Sequence, residues 1–242
     1  MNQILIYADG PIHDEDFTLI EHILRFLETP QYLRKRLFTR NPALRFVGVL
    51  PPLQIPSHNV PKSIKECRVG DLREGVVVAR DGHRLRVDVG LERPVECQGR
   101  APTETRATVR LDSIGQELGG ELVDRSKISI YWGYRVRAEK TRLAAILEKE
   151  QYDLKIGTSR YGQQLKDAWS EITEFLRNEV TMMIAFGSPR LGLREILLGE
   201  RKTPEDVFDF YVNMIPNQKT LTVRTEEAVG LTLATLNIMR SM

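Results

Sequence analysis

The first 62 residues carry the hydrophobic pattern of an α/β protein. A short apolar run at residues 4–7 predicts a buried strand. From Asp14 onward, apolar residues recur at helical spacing, and Pro30 predicts the end of this helix and the first turn of another. A second apolar run at residues 46–50 predicts a further buried strand. Strand, helix and strand in succession are typical of α/β folds.

The pattern changes after residue 50. Four prolines between residues 51 and 61 predict an extended crossing, and we place a domain boundary near residue 62. Residues 63–138 contain short, often alternating apolar runs that predict β-strands. Asp81-Gly82 lies between two of these runs and predicts a tight hairpin. Short strands at this spacing favour a small β-barrel, and the five-stranded OB type fits best.

The last part of the chain, residues 139–242, returns to an α/β pattern. The predicted helices span residues 141–150, 168–179 and 225–239. The predicted strands span residues 152–157, 182–186 and 207–212. We therefore predict one discontinuous α/β domain, formed by residues 1–62 and 139–242. It is interrupted by an OB-like β-barrel insertion, formed by residues 63–138.

The composition is that of a globular protein. Of the 242 residues, 41% are hydrophobic and 28% are charged, and the formal net charge is +2, which excludes general disorder. No apolar run approaches the ~20 residues of a membrane span, and the N-terminus lacks the basic start of a secretory signal. Neither the two cysteines nor the four histidines show metal-ligand spacing. These features predict a cytoplasmic protein with neither a membrane partner nor a metal.

The small net charge conceals local clusters of arginine. Residues 63–138 contain twelve Arg and two Lys against twelve acidic residues. This balance is typical of a β surface laced with salt bridges, or of an Arg-rich module that faces RNA. A second cluster comprises Arg34, Lys35, Arg36, Arg40 and Arg45. It fits an RNA contact and a solvated helix face equally well.

Candidate ligand-binding loops follow three predicted strands in succession. They span residues 158–162, 187–192 and 213–220, and all are rich in Gly, Pro and small polar residues. Open α/β sheets bind ligands beyond the carboxyl ends of their strands, and small residues let a ligand approach the backbone closely. Neither a P-loop nor a G-x-G-x-x-G fingerprint is present. We therefore expect a shared site of another type at these loops.

The start of the final helix carries an unexpected cation. Thr225 is predicted as the N-cap, and Glu226 and Glu227 suit the positive end of the helix dipole. Arg224 opposes the same dipole, so capping does not explain it. A cation at this place favours an anionic or enolate-like substrate.

These segments resemble the SPOUT superfamily of RNA methyltransferases. The resemblance rests on Ile156–Ser159, on Phe186–Gly192, and on Ile215–Gln218 with Val223–Ala228. Together with Tyr131–Arg137, they are most similar to the archaeal and eukaryotic branch with an OB-like insertion. The Arg-Thr-Glu ending and the Gly-rich loop are also similar to bacterial enzymes that methylate N3 of a ribosomal uridine.

The resemblance implies a knotted parallel sheet with helices on both faces. It also implies a homodimer in which the partner subunit helps to form the active site, and S-adenosylmethionine as cofactor. The cofactor-binding residues it implies are Thr158, Gly187, Ser188, Gly192, Ile215, Pro216, Gln218, Thr220, Leu221, Val223, Arg224 and Thr225. The implied catalytic residues are Arg224, Glu226, Glu227 and Arg160. Relatives commonly carry Glu-Arg where this chain has Arg160-Tyr161, so its basic group is displaced by one position.

The predicted function is therefore that of an S-adenosylmethionine-dependent RNA methyltransferase (EC 2.1.1 class). Ribosomal RNA is the expected substrate and uridine N3 the expected atom, with the β insertion contacting the RNA. Two alternatives stay open. One is a non-catalytic RNA-binding or scaffold protein that retains the knotted fold. The other is a related enzyme that methylates a 2′-hydroxyl or a guanine.

Overall fold

A computed structural model of the chain describes residues 2–10, 14–38, 41–51 and 53–242. The chain forms two compact units: Met1–Ile6 with His13–Ala138, and Tyr7–Ile12 with Glu139–Met242. The N-terminal helices thus fall in the same unit as the barrel. Arg40 of the N-terminal basic cluster and Pro52 of the proline-rich crossing lie outside the described residues.

The first unit is built around a closed five-stranded barrel, as predicted. Its strands are β2 (Leu72–Asp81), β3 (Arg84–Asp88), β4 (Val95–Gln98), β5 (Arg106–Ile114) and β6 (Leu118–Val123). They follow the order β2-β3-β4-β6-β5 around the barrel. Helices α1 (Asp14–Glu28) and α2 (Gln31–Leu37) belong to the same unit, and strand β1 (Gln3–Ala8) pairs with β7 (Arg135–Arg142).

The barrel core explains why residues 63–138 alternate between apolar and polar. The side chains that fill it are fully or almost fully buried: Val77, Leu85, Val87, Val89, Val95, Cys97, Val109, Leu111 and Leu118. Their polar neighbours point outward, which is the period-two rule of a half-buried strand. The hairpin predicted at Asp81-Gly82 is confirmed, because Asp81 pairs with Arg84 and Gly82 has a φ of +58°. Glycine adopts that turn conformation without the steric cost that a side chain adds.

A buried ionic network joins α1 to the barrel. Arg106 Nη2 lies 2.8 Å from Glu74 Oε2, and Arg125 Nη2 lies 2.7 Å from Glu28 Oε1. Trp132 Nε1 donates to Glu74 Oε1 over 2.7 Å. Burial by itself lowers the pKa of Arg106, but the carboxylates of Glu74 and Glu28 together raise it above its ordinary value. The network thus explains several of the arginines in this zone as structural.

The strand predicted at residues 46–50 is wrong. Val47–Val49 form a single turn of 3-10 helix, and the Phe46 and Val49 side chains are 66% and 84% exposed. The run is only five residues long, Gly48 lies at its centre and Pro51 follows it. Glycine weakens a strand and proline cannot donate to a sheet ladder, so this run has little to favour pairing.

The second unit contains a three-stranded parallel sheet in the order β10-β8-β9, which confirms the mixed α/β prediction. Its strands are β8 (Leu154–Gln164), β9 (Met182–Ala185) and β10 (Phe210–Asn213). Its helices are α3 (Leu143–Lys149), α4 (Leu165–Leu176), α5 (Leu193–Gly199), α6 (Pro204–Val207) and α7 (Thr225–Arg240). Among the helices of the described residues, none has both the length and the apolar character needed to cross a bilayer.

The strand predicted at 207–212 is partly corrected. Residues Pro204–Val207 form a helical turn, and the strand begins only at Phe210. Thr203 N–H donates to Asp206 Oδ2 over 2.7 Å, which is one half of a capping box. Local capping therefore overrides the apolar pattern at the start of this run.

Candidate active site

The carboxyl ends of the three parallel strands lie along one edge of the sheet in the second unit. Thr158 follows the paired part of β8 and donates from Oγ1 to the carbonyl of Ala185, at the end of β9, over 2.9 Å. The hydroxyl group therefore joins the ends of two neighbouring strands. Such an edge is where open α/β sheets bind ligands.

Residues 158–162 leave the ladder between β8 and β10. Tyr211 pairs with Gly157, whereas the next residue, Val212, pairs with Gln163. A Cβ on Gly162 would lie 2.6 Å from the Tyr211 carbonyl oxygen, so only glycine fits this close approach without a shift. The segment predicted as a loop is thus a wide bulge inside a longer strand, and it presents Arg160 at the sheet edge.

Asn213 holds this bulge to the following segment. Its side chain is 7% exposed, donates from Nδ2 to the Arg160 carbonyl over 3.1 Å, and accepts from the Ile215 N–H over 3.0 Å. Sequence reasoning did not assign it a role. The signal that could have identified it is a polar side chain at the last position of a buried strand, because buried polar groups need hydrogen-bond partners.

The second loop, residues 187–192, is folded by its own serine. Ser188 Oγ accepts from the Leu191 N–H over 3.1 Å, and the Ser188 N–H donates to the Leu191 carbonyl over 2.9 Å. A Cβ on Gly187 would lie 2.8 Å from that same carbonyl oxygen. Within the described residues, the backbone N–H groups of Gly187 and Gly192 have no hydrogen-bond acceptor. The loop is therefore tight and offers unpaired donors.

The segment that follows β10, residues 215–223, contacts Arg160 of the first loop. The Arg160 guanidinium donates to the Leu221 carbonyl, and its carbon lies 4.5 Å from the centroid of the Tyr161 ring. Gln218 Nε2 donates to the Thr220 carbonyl over 2.8 Å. The structure thus joins Arg160 of the first loop to the predicted cofactor-binding residue Leu221. The guanidinium is used in this contact with a backbone carbonyl.

The start of α7 reaches the second loop. Arg224 is the N-cap residue and Thr225 the first helical residue, so the predicted cap is corrected by one position. Thr225 Oγ1 lies 3.5 Å from the Gly187 carbonyl oxygen. Glu227 Oε2 accepts from the Arg224 N–H over 3.2 Å, the reciprocal contact of a capping box. Glu227 therefore helps to cap α7, whereas Glu226 takes no part in capping.

The Arg224 side chain extends into solvent. It is 79% exposed, and its Nη1 lies 3.9 Å from Glu226 Oε1, whose side chain is 72% exposed. Such a pair contributes little stability at the surface. Both charged groups are therefore accessible to solvent at the start of α7.

Tyr7 holds the segment that leads into the second loop, a role that sequence reasoning missed. Its hydroxyl group donates to the Phe186 carbonyl over 2.7 Å, directly before the Gly187 loop. Burial raises its pKa above the ordinary value, with Asp9 and Glu200 adding to the shift. Tyr7 thus stays a neutral donor. Within the described ranges, no three His, Cys, Asp or Glu side chains group closely enough to hold a metal ion.

Comparison with known proteins identifies the family. Residues 9–236 match the protein family described as "Putative RNA methyltransferase". The match covers both units, including the barrel and the loops at the sheet edge. The chain therefore belongs to this family of RNA methyltransferases.

Curated relatives are similar over most of the chain. The human protein named 28S rRNA (uridine-N(3))-methyltransferase is 34% identical over 90% of this chain and 59% of its own length. The mouse protein of the same name is 35% identical over 90% of this chain and 58% of its own length. This chain thus spans about three fifths of those relatives. An uncharacterized protein of Haloarcula marismortui is 34% identical over 98% of this chain and 86% of its own length.

Proposed function

We propose that this chain is an S-adenosylmethionine-dependent methyltransferase that modifies ribosomal RNA at uridine N3. The observation that carries the proposal is sequence identity: about a third of the aligned residues are identical in relatives named for that reaction. The sheet edge formed by three loops, with Arg224 and Glu226 exposed beside it, supports a small-molecule and RNA site there. Family membership supports methyl transfer as the chemistry.

The residues of the sheet edge fit the proposed cofactor. The backbone N–H groups of Gly187 and Gly192 have no acceptor among the described residues, and a Cβ at Gly187 would lie 2.8 Å from the Leu191 carbonyl oxygen. Such loops can surround an adenosine group through backbone contacts, without charged side chains. The residues that would hold it are Thr158, Gly187, Ser188, Gly192, Ile215, Pro216, Gln218, Thr220, Leu221, Val223, Arg224 and Thr225. When bound, the cofactor supplies an electrophilic methyl group on a sulfonium.

Arg224 and Glu226 are suited to the proposed substrate. The N3 atom of uridine must lose its proton to become a nucleophile, and negative charge then spreads over the two uracil carbonyls. We assign proton acceptance to Glu226 and stabilisation of the carbonyl charge to Arg224. Glu227, the other carboxylate predicted as catalytic, is already used in capping. Arg160 is assigned to positioning, since its guanidinium binds the Leu221 carbonyl.

The two adjacent glutamates provide a test of this assignment. Glu226→Gln removes the proton acceptor and is expected to slow methyl transfer about 10²-fold or more. Glu227→Gln keeps an oxygen that can accept from the Arg224 N–H, since Gln also serves in capping boxes, so its rate is expected to stay near wild type. Single-turnover transfer of labelled methyl to rRNA measures both. Equal losses in the two variants would contradict the assignment.

We also propose that residues 139–242 form the trefoil knot of the SPOUT superfamily. Two contacts of the chain's last segment support this: Thr225 with the Gly187 carbonyl, and Leu221 with Arg160. Both connect residues after β10 to loops that precede it. We further propose that the barrel is the OB-like insertion that carries RNA contacts.

A homodimer is the proposed assembly. Leu231 and Ile238 lie on α7 seven residues apart, hence on one helical face, and are 49% and 58% exposed. We expect sedimentation velocity to give twice the chain mass of 27.7 kDa. The double variant Leu231→Lys/Ile238→Lys is expected to sediment as a monomer, because buried lysines oppose such an interface. Leu198→Lys, at an exposed position of α5, serves as control. A wild-type monomer would refute the proposal.

Two experiments test the function as a whole. Isothermal calorimetry with S-adenosylmethionine separates the enzyme from a scaffold protein that only retains the fold, since the scaffold would show no binding. Mapping of methylated nucleosides in ribosomal RNA, with and without the protein, then identifies the modified atom. Loss of N3-methyluridine without the protein is the expected result. Loss of a 2′-O-methyl or methylguanine mark would identify the alternative reaction.

A further inference from the structure

Two groups of arginines stand out among the twelve of the barrel zone. Five are engaged with protein groups: Arg73 is buried on backbone carbonyls, Arg93 binds the carbonyls of Gly115 and Gln116, Arg106 and Arg125 lie in the buried network, and Arg110 pairs with Glu121. Their positive charge is neutralised or inaccessible. They therefore contribute little to the binding of an external partner.

A second group of cations lies at one end of the barrel. Arg80, Arg84, Arg86 and Arg100 are all exposed, and they surround the β2–β3 hairpin with His83; we call these five residues the hairpin patch. At the hairpin tip, Arg80 Nε donates to the Gly82 carbonyl over 3.1 Å. Arg84 and Arg86 lie two positions apart on β3 and so share one face of the strand, whereas Arg80 pairs with the buried Leu85 and flanks the hairpin on the other face.

Acidic neighbours do not cancel this patch. Asp81 and Glu96 lie opposite Arg84 and Arg86, and Asp88 follows Arg86 on the same face of β3, so four guanidiniums outnumber three carboxylates. Across the described part of the chain, no carboxylate is within ion-pairing distance of any of the four guanidiniums. Arg100 lies against the His83 ring instead, with Nη2 3.2 Å from Nε2. The near-neutral zone thus presents a local positive surface.

We propose that the hairpin patch binds the phosphate backbone of the RNA substrate, a proposal that rests on the proposed function. Guanidinium groups bind phosphate oxygens in a bidentate fashion, and four of them can follow one strand. The patch has no aromatic side chain besides His83, so stacking on bases has little part in it. The contact is therefore electrostatic and tolerant of sequence, and it positions the RNA rather than selecting the base.

The test compares two triple variants with the same change in net charge. Arg84→Ala/Arg86→Ala/Arg100→Ala removes patch cations, whereas Arg25→Ala/Arg110→Ala/Arg194→Ala removes exposed arginines that already pair with glutamates. Binding of a short fluorescein-labelled single-stranded RNA of mixed sequence is followed by anisotropy as salt is raised. The patch variant is expected to bind roughly tenfold more weakly or worse at low salt, and its log–log salt slope to fall by about 2. The control is expected to stay within a few-fold of wild type.

Further measurements keep the outcome decisive. If the patch variant fails to fold, Arg86→Ala alone should lower the slope by about 0.7, and the triple Lys variant should retain it. Equal losses in patch and control variants overturn the proposal. So does binding of polyglutamate but not RNA, which would assign the patch to an acidic protein. Calorimetry with S-adenosylmethionine, run on wild type and both variants, reports failure of the proposed function separately from failure of the patch.

Discussion

Arg224→Ala is expected to slow methyl transfer about 10²- to 10³-fold while leaving the dissociation constant for S-adenosylmethionine within about twofold of wild type. The reason is the position of the side chain. It is 79% exposed, and only its backbone N–H takes part in capping α7. We therefore propose that Arg224 contacts the cofactor through its backbone, which the alanine variant retains. The guanidinium itself is available for charge that develops on the substrate.

A structural role for Arg224 can be distinguished from this catalytic one. A cation at a helix N-terminus opposes the helix dipole, so its removal should leave the stability of the protein unchanged or slightly higher. Arg240→Ala, at the other end of α7, removes an equal charge far from the loops and should leave the rate unaltered. Single-turnover rates, calorimetry and thermal melting on the two variants decide the matter. A large loss of cofactor affinity with an unchanged rate constant would overturn the assignment.

The barrel was predictable because its information is local. Alternating runs place side chains such as Leu85 and Val87 inward, and Asp81-Gly82 fixes the hairpin register. Residues 46–50 show the limit of the same reasoning. An apolar run of five predicts burial only if another element covers it, and that information is not contained in the run itself. The grouping of α1 with the barrel likewise depends on contacts between Glu28 and Arg106, far apart in sequence.

The candidate site was predictable in its loops but not in its contacts. Gly187 stands out by residue type, because the close approach of the Leu191 backbone requires glycine there. The bulge at 158–162 could not be foreseen, since it arises from pairing with β10 on both sides. Tyr7 could not be assigned either, since its acceptor is 179 positions away in the chain. The positions of these site residues therefore depend on long-range hydrogen bonds, which residue patterns along the chain do not reveal.

Glu74→Ala is expected to lower the free energy of unfolding by about 3–5 kcal/mol, the largest change in stability that we predict. Glu74 is 1% exposed and accepts from Arg106, Trp132 and Thr108. Its removal leaves a buried indole N–H without an acceptor and Arg106 with one carboxylate instead of two. Unpaired buried donors and charges carry the full cost of desolvation. Urea denaturation followed by tryptophan fluorescence measures the loss.

Glu121→Ala is the matched control, because it also removes a glutamate that pairs with a barrel arginine. Its carboxylate lies 3.4 Å from Arg110, but both side chains are at least half exposed, so water replaces the lost contact. The expected change is below about 1 kcal/mol. The contrast tests whether burial, rather than the number of ion pairs, makes the network important. If Glu74→Ala unfolds at the same urea concentration as Glu121→Ala, the network does not stabilise the barrel. If only Glu74→Ala is destabilised, the partly buried arginines Arg106 and Arg125 serve the fold, which leaves the exposed hairpin patch as the surface that we propose to bind RNA.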